Sequence, residues 1–293
     1  MLSRRIVLPV IALVLLAACG DHAKESDSTA STDVSTTIAI TTTTLATPTV
    51  DLPAELPTEL VVTDLIVGTG PAAREGDTVV VNYVGVRSED GTEFDNSYTS
   101  GAPIDVPLGA GQVIPGWDQG LVGVQAGGRR QLDIPAELAY GDTPQGDIIQ
   151  PGDALTFVID VVAVIPAADP ALEPTVSVAP SANVESFSFE DLVVGEGASP
   201  VAGQTAAVQI VAYRADTGEK INTTWTTGTP FTFTFGTGEV LPGIDSTVDG
   251  MKVGGRRQAT IPFAMAFGDA GNDSLGLPPS TDLVLVLDLV AVY

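Results

Sequence analysis

Cysteine and histidine are almost absent. The 293 residues hold one of each, Cys19 and His22. Everything beyond residue 22 therefore folds without a disulfide, and no Cys- or His-ligated metal and no histidine general base can operate there. Positive charge is scarce as well. Twelve Lys and Arg stand against 37 Asp and Glu, a net charge of −25. That balance repels nucleic acid and anionic lipid headgroups, so neither is expected as a partner. A long apolar run is also missing, because Ile6–Leu16 is too short for a comfortable transmembrane span.

What the chain has in plenty is Gly (31), Pro (21) and Val-rich alternating runs, with 44% apolar residues, the composition of a β-rich protein with many turns. Its length suits two ordinary domains. The start, "MLSRRIVLPVIALVLLAAC" (1–19), reads as a secretory leader: Arg4 and Arg5, an apolar stretch, small residues, then Cys19. "LAAC" resembles the lipobox of bacterial lipoproteins. That resemblance implies cleavage before Cys19, acylation of its thiol and new amino group, and an extracytoplasmic chain whose only tie to the cell membrane is the lipid anchor. Residues 20–57 are dominated by Ser, Thr, Asp and Ala and offer too little to bury, so a disordered tether is expected.

The rest of the chain is one domain written twice. At a spacing of 127, "PGWDQGLVGVQAGGRRQLDIP" (115–135) aligns without gaps to "PGIDSTVDGMKVGGRRQATIP" (242–262), and "EDGTEFDNSY" (89–98) to "DTGEKINTTW" (216–225). Domains are expected at 58–166 and 186–293, joined by a linker at 167–185 rich in Pro, Ala, Ser and Val. In the first unit "TVVVNYVGV", "PIDVPLG", "RRQLDI" and "LTFVIDVVAV" read as strands, and Gly116–Val122 as a helix of one or two turns. Each unit is therefore expected to be α+β, a twisted antiparallel sheet wrapped around one short α-helix. Arg129 and Arg130 of "GGRR" are read as solvated or ion-paired.

The ordered set "VNYVG", "GTEFD", "VIPGWDQGL", "GGRRQLDIP", "AYGD" and "LTFVIDVVAV" resembles the FKBP-type peptidyl-prolyl cis–trans isomerases across nearly the whole first unit. Carried over by position, the resemblance implies catalytic roles for Tyr83, Phe94, Asp95, Trp117 and Tyr140. It implies a substrate-binding wall of Ile104, Val106, Val113, Ile114, Ile149 and a residue of the last strand, Phe157 or Ile159, with Ile159 the closer match. Trp117 would be the floor under the substrate proline. The Ile114 N–H and Tyr140 hydroxyl would hold carbonyls, and Asp95 would pair with Tyr83. Implied partners are proline-containing unfolded or nascent exported polypeptides and a macrolide of the rapamycin kind. Ile104, where an aromatic is common, and the loop "GDTPQGDIIQPGD" (141–153) depart from the usual pattern.

Rotation about X–Pro needs no nucleophile, metal or cofactor. The planar amide is more dipolar than the twisted one, so an apolar pocket lowers a barrier of about 18–20 kcal/mol. In the second copy Trp117 is replaced by Ile244, Tyr83 by Ile210, Phe94 by Ile221, Asp95 by Asn222 and Tyr140 by Phe267. A degenerate unit with little or no activity is expected there. The rival reading of the whole chain is a non-catalytic, chaperone-like module that binds proline-containing or apolar segments.

Overall fold

A computed structural model describes residues 46–176, 178, 180 and 183–293. The leader at 1–19, the acylation expected at Cys19 and the tether from 20 to 45 lie outside the described residues. The first unit contains β1 (Val61–Ile66), β2 (Thr78–Arg87), β3 (Glu93–Asn96), α1 (Ser97–Ser100), β4 (Ile104–Pro107), α2 (Pro115–Gly120), β5 (Arg129–Ile134) and β6 (Leu155–Ile165). The second contains β7 (Ser188–Val193), β8 (Thr205–Arg214), β9 (Lys220–Thr223), β10 (Phe231–Thr234), α3 (Pro242–Val248), β11 (Arg256–Ile261) and β12 (Leu283–Val292). Each sheet is antiparallel. The first runs β1-β5-β6-β2, with β3 and β4 sharing the far edge of the ten-residue β2. The second repeats this order as β7-β11-β12-β8, with β9 and β10 on β8. The fold class is the one the sequence predicts, with a one-turn helix, α1, added in the first unit.

A six-residue helix is far too short to form alone, and α2 is held from below and at its end. Pro115 starts it at a position where no backbone donor is lost. Gly116 and Gly120 let it lie flush on β5: a Cβ at either would come within 2.5 Å of Ile134 or 2.6 Å of Leu132. At the far end Arg130 donates to the carbonyls of Gly120 (2.7 Å) and Val122 (2.9 Å) while its other nitrogens hold Asp64 on β1. Arg257 does the same in the second unit, bonding the Thr247 and Asp249 carbonyls and Asp191. The first Arg of each pair is bidentate to a carboxylate on the neighbouring strand, Arg129 to Asp160 and Arg256 to Asp288. All four are ion-paired, and the second of each pair is also a helix cap.

The repeat extends further toward the N-terminus than the sequence reading placed it. Residues 46–57 carry no helix or strand, yet they are not free of the sheet. Arg129 donates to the Ala46 carbonyl, Gln131 to the Asp51 carbonyl, and Leu52 lies against Gly91. The linker repeats the arrangement. Val176, Val178 and Val184 cover Val211, Tyr213, Trp225 and Val286 on the outer face of the second sheet, and Val178 lies against Gly218. "PTV" begins both straps, at 48–50 and 174–176, with Pro48 and Pro174 buried. Much of what composition marks as tether and linker is therefore an extended strap belonging to each domain. The signal is weak because it has a register of 126 rather than 127 and no periodicity.

The two sheets meet back to back. Val80, Ala163 and Ile165 of the first cluster with Ala207, Ala291 and Tyr293 of the second. Val80 pairs with Ala163 across β2 and β6 as Ala207 does with Ala291 across β8 and β12, so equivalent cross-strand pairs of the two repeats enter one cluster. Small side chains allow the close approach. Ala207→Asp places a charge in this contact, at a position with no exposed surface. It is expected to cost about 1–3 kcal/mol and to raise the radius of gyration in solution scattering; an unchanged radius would refute the interface.

Candidate functional site

The inner face of the first sheet carries a bed of four aromatic rings. β2 alternates, turning Val79, Val81 and Tyr83 toward α2 and Val80 outward. Gly85 is the next inward position, and its missing side chain admits the rings. A Cβ there would lie 2.7 Å from Cε1 of Phe157 and 2.9 Å from Cζ of Phe94. Phe157 stands at the centre, edge-to-face with Trp117 (5.2 Å between centroids) and with Phe94 (5.5 Å), and 6.2 Å from Tyr83. Tyr83 and Trp117 meet at 5.0 Å with planes at 89°. These are the perpendicular arrangements that ring quadrupoles favour. The Trp117 indole N–H is buried with no hydrogen-bond partner among the described residues, so packing alone fixes the ring.

Polar groups border the bed on one side. The Tyr83 hydroxyl donates to Asp95 Oδ2 at 2.5 Å, and Asp95 Oδ1 accepts from the Asn96 N–H. Tyr140 is 37% exposed. Burial, and then the Asp95 charge, push its phenol above the ordinary tyrosine value, so at neutral pH it is an O–H donor. Ile114 precedes α2. Its carbonyl accepts from the Trp117 N–H, while its own N–H makes no hydrogen bond among the described residues. A free backbone donor, a tyrosine hydroxyl and an apolar ring floor are what a polypeptide carbonyl beside a proline ring would need.

The structure brings Tyr83, Phe94, Trp117, Ile104, Val106, Val113, Ile114 and Ile149 into one cluster. Both candidates of the last strand, Phe157 and Ile159, lie in the same cluster. Ile159 has no exposed surface and lies opposite Tyr83, whereas Phe157 lies opposite Gly85. The space left by Gly85 is filled by the Phe157 ring, and Ile159 packs beside it under Tyr83. Val106 likewise has no exposed surface and supports the wall from behind. The sequence signal for the placing of Phe157 is the pairing of an inward Gly on one strand with an aromatic on the next.

The second unit replaces the whole bed with aliphatics. Ile210, Ile221, Ile244 and Leu285 take the places of Tyr83, Phe94, Trp117 and Phe157 in an equivalent core. The Gly85 position is Ala212, opposite Leu285: the added methyl accompanies the lost ring. Phe267 has no hydroxyl, and Asn222 bonds only the neighbouring Thr223 N–H.

Two outcomes follow from this geometry. Gly85→Ala is expected to destabilise the first domain by about 1–3 kcal/mol through overpacking, read as a lower melting transition. All five tyrosines (83, 98, 140, 213 and 293) are raised above 10, chiefly by burial. A raised folded value favours the neutral phenol, so this stabilisation is complete below about pH 10 and is lost as pH climbs above it. A titration in which the folded chain shows its full phenolate absorbance by pH 10 would contradict that.

Comparison with known proteins agrees with the geometry. The family model for FKBP-type peptidyl-prolyl cis-trans isomerase matches twice, at residues 70–162 and 196–290. An FK506-binding protein of Streptomyces anulatus is 54% identical over 119 residues, 40% of this chain and 96% of that protein. An FK506-binding protein of Neisseria meningitidis is 41% identical over 105 residues, 36% of this chain and 95% of the relative. A peptidyl-prolyl cis-trans isomerase of Saccharomyces cerevisiae is 47% identical over 96 residues, 33% of this chain and 71% of the relative. The chain therefore belongs to the FKBP-type peptidyl-prolyl cis–trans isomerase family, with two FKBP-like repeats.

Proposed function

We propose that catalysis resides in the first repeat, and that the second is a binding unit without isomerase activity. The observation that carries this is the ring bed with its Tyr83–Asp95 pair, present in one repeat and replaced by aliphatic side chains in the other. A substrate proline rests on Trp117, and the surrounding apolar wall withholds the water that favours the planar, dipolar amide. As the bond twists, the flanking carbonyls meet the Ile114 N–H and the Tyr140 hydroxyl, fixed donors that need no reorganisation. About 5 kcal/mol of such differential binding gives roughly 10³–10⁴-fold acceleration. The Tyr83–Asp95 pair holds the rim in place beside Phe94.

The substrates in this reading are X–Pro bonds of unfolded or nascent exported polypeptides, whose isomerisation is slow enough to limit folding. Several relatives are named FK506-binding proteins, and in this reading a macrolide of that or the rapamycin kind occupies the same floor. The leader and Cys19 support a lipid-anchored, extracytoplasmic protein. The second repeat keeps an apolar inner surface, Phe231, Leu241, Ile244 and Phe267, and suits capture of apolar segments without turnover.

In the full chain, Trp117→Ala is expected to lower kcat/KM for a prolyl peptide at least tenfold, about 1.4 kcal/mol or more of transition-state stabilisation. Ile244→Ala leaves it unchanged. Equal losses from the two variants would place activity in both repeats, and no turnover by the well-folded wild type would leave a chain-binding protein. Cys19→Ser is expected to abolish incorporation of labelled fatty acid and move the chain from the membrane to the soluble fraction; membrane retention would refute the anchor.

A further inference from the structure

β3, which carries Phe94 and Asp95, is weakly held by its backbone. It is four residues long, sits at the sheet edge, and its register with β2 shifts between Gly85 and Val86, bulging out Phe94. A bulged edge strand re-aims a side chain but loses ladder bonds, so side-chain ties must fix it. Two ties follow it in sequence. Ser97 Oγ accepts from the Tyr83 N–H at 2.8 Å and donates to Asn82 at 3.1 Å. Tyr98, in α1, donates its hydroxyl to Asp160 Oδ2 at 2.5 Å, a buried carboxylate that Arg129 holds through two nitrogens.

The second repeat acts as an internal control. It keeps the first tie: Thr224 Oγ1 accepts from the Ile210 N–H at 2.8 Å and reaches Gln209. It also keeps the ion pair, Arg256 with Asp288. Its second tie differs in kind: the Arg256 guanidinium lies over the Trp225 ring, 5.8 Å from its centroid, in place of a hydroxyl bond to the carboxylate. Trp225 stands in place of Tyr98, with its indole N–H buried and without a hydrogen-bond partner among the described residues, and the helical turn corresponding to α1 is not formed. The tie common to both repeats serves the fold. The hydroxyl–carboxylate form of the second tie is found only where Tyr83, Asp95 and Trp117 are intact, and it accompanies the site.

We propose that Tyr98 is a positioning residue for the isomerase reaction, anchoring α1 to the Arg129–Asp160 pair so that Asp95 and Phe94 are held at the rim of the ring bed. The path is short and continuous. The Asn96 side chain accepts from the Tyr98 N–H, the Asn96 N–H binds Asp95 Oδ1, and Asp95 Oδ2 receives the Tyr83 hydroxyl. Removing the Tyr98 hydroxyl leaves Asp160 paired with Arg129, so the core is not left with an unpaired charge.

The role rests on the assignment of activity to the first repeat, and the test separates the two. In the full chain, Tyr98→Phe is compared with wild type by prolyl isomerisation and by the downfield proton resonance of the Tyr83 hydroxyl, assigned with Tyr83→Phe. The expected result is a fall in kcat of about fivefold to tenfold, with loss or broadening of that resonance and unchanged signals from the second repeat. Tyr98→Trp, a side chain this fold accommodates at position 225, gives the same result and serves if Tyr98→Phe folds poorly. An unchanged Tyr83 resonance in the variants overturns the proposal, whether or not the melting temperature or the rate falls. If the wild type has no turnover, the resonance still reads the positioning by itself.

Discussion

Everything at the site depends on how closely a six-residue helix lies on the sheet. Helix α2 cannot exist without β5 beneath it, and it reaches β5 only because Gly116 and Gly120 carry no side chains where Ile134 and Leu132 stand. That close approach sets the depth at which Trp117 lies. Gly85 on β2 then leaves the space that Phe157 and Phe94 fill, and the four rings wedge one another edge to face. Arg130 closes the arrangement from behind by satisfying carbonyls at the helix end that would otherwise be unpaired, while its remaining N–H groups bind β1 through Asp64.

Duplication separates what this frame needs from what the chemistry needs. Both repeats keep the first glycine under the helix (Gly116 and Gly243, while Gly120 becomes Thr247), the capping arginine, the bidentate Arg–Asp pair and the side chain that bonds the β2 or β8 N–H. Rings, hydroxyls and the rim carboxylate survive in one only. The coupled change of Gly85 and Phe157 to Ala212 and Leu285 shows that the aliphatic bed is itself well packed, a core remade around smaller side chains rather than one left with a hole. The cluster through Val80, Ala163, Ala207 and Ala291 joins the outer faces of the sheets.

Four of the six strands of the first unit (β2, β4, β5 and β6), the short helix and the candidate site residues were legible in the sequence because they are local or ordered signals: β-branched runs, Pro-Gly before the helix, and motifs in fixed order; the edge strands β1 and β3, largely exposed and without an apolar run, were not. Tyr83, Phe94, Asp95, Trp117 and Tyr140 could be named from position alone. The alternative of Phe157 or Ile159 was left open because both face inward on the same strand, and the structure places both in the cluster, Phe157 opposite Gly85 and Ile159 opposite Tyr83. The straps were hidden for another reason: Pro/Thr/Val/Ala segments look like linker until the outer sheet faces they cover are assembled.

The sequence by itself determined the duplication, the fold class, the loss of aromatic and acidic groups from the second copy, and a chemistry free of histidine and cysteine, since composition and period require no coordinates. Only the tertiary structure decided that Phe157 fills the space beside Gly85, what Arg129 and Arg130 hold, that the 46–57 and 174–184 segments lie on the sheets, and that Tyr98 reaches Asp160 across 62 residues of chain. Such contacts arise from strand register and from the space glycines leave, and neither is written in the order of the residues that use them.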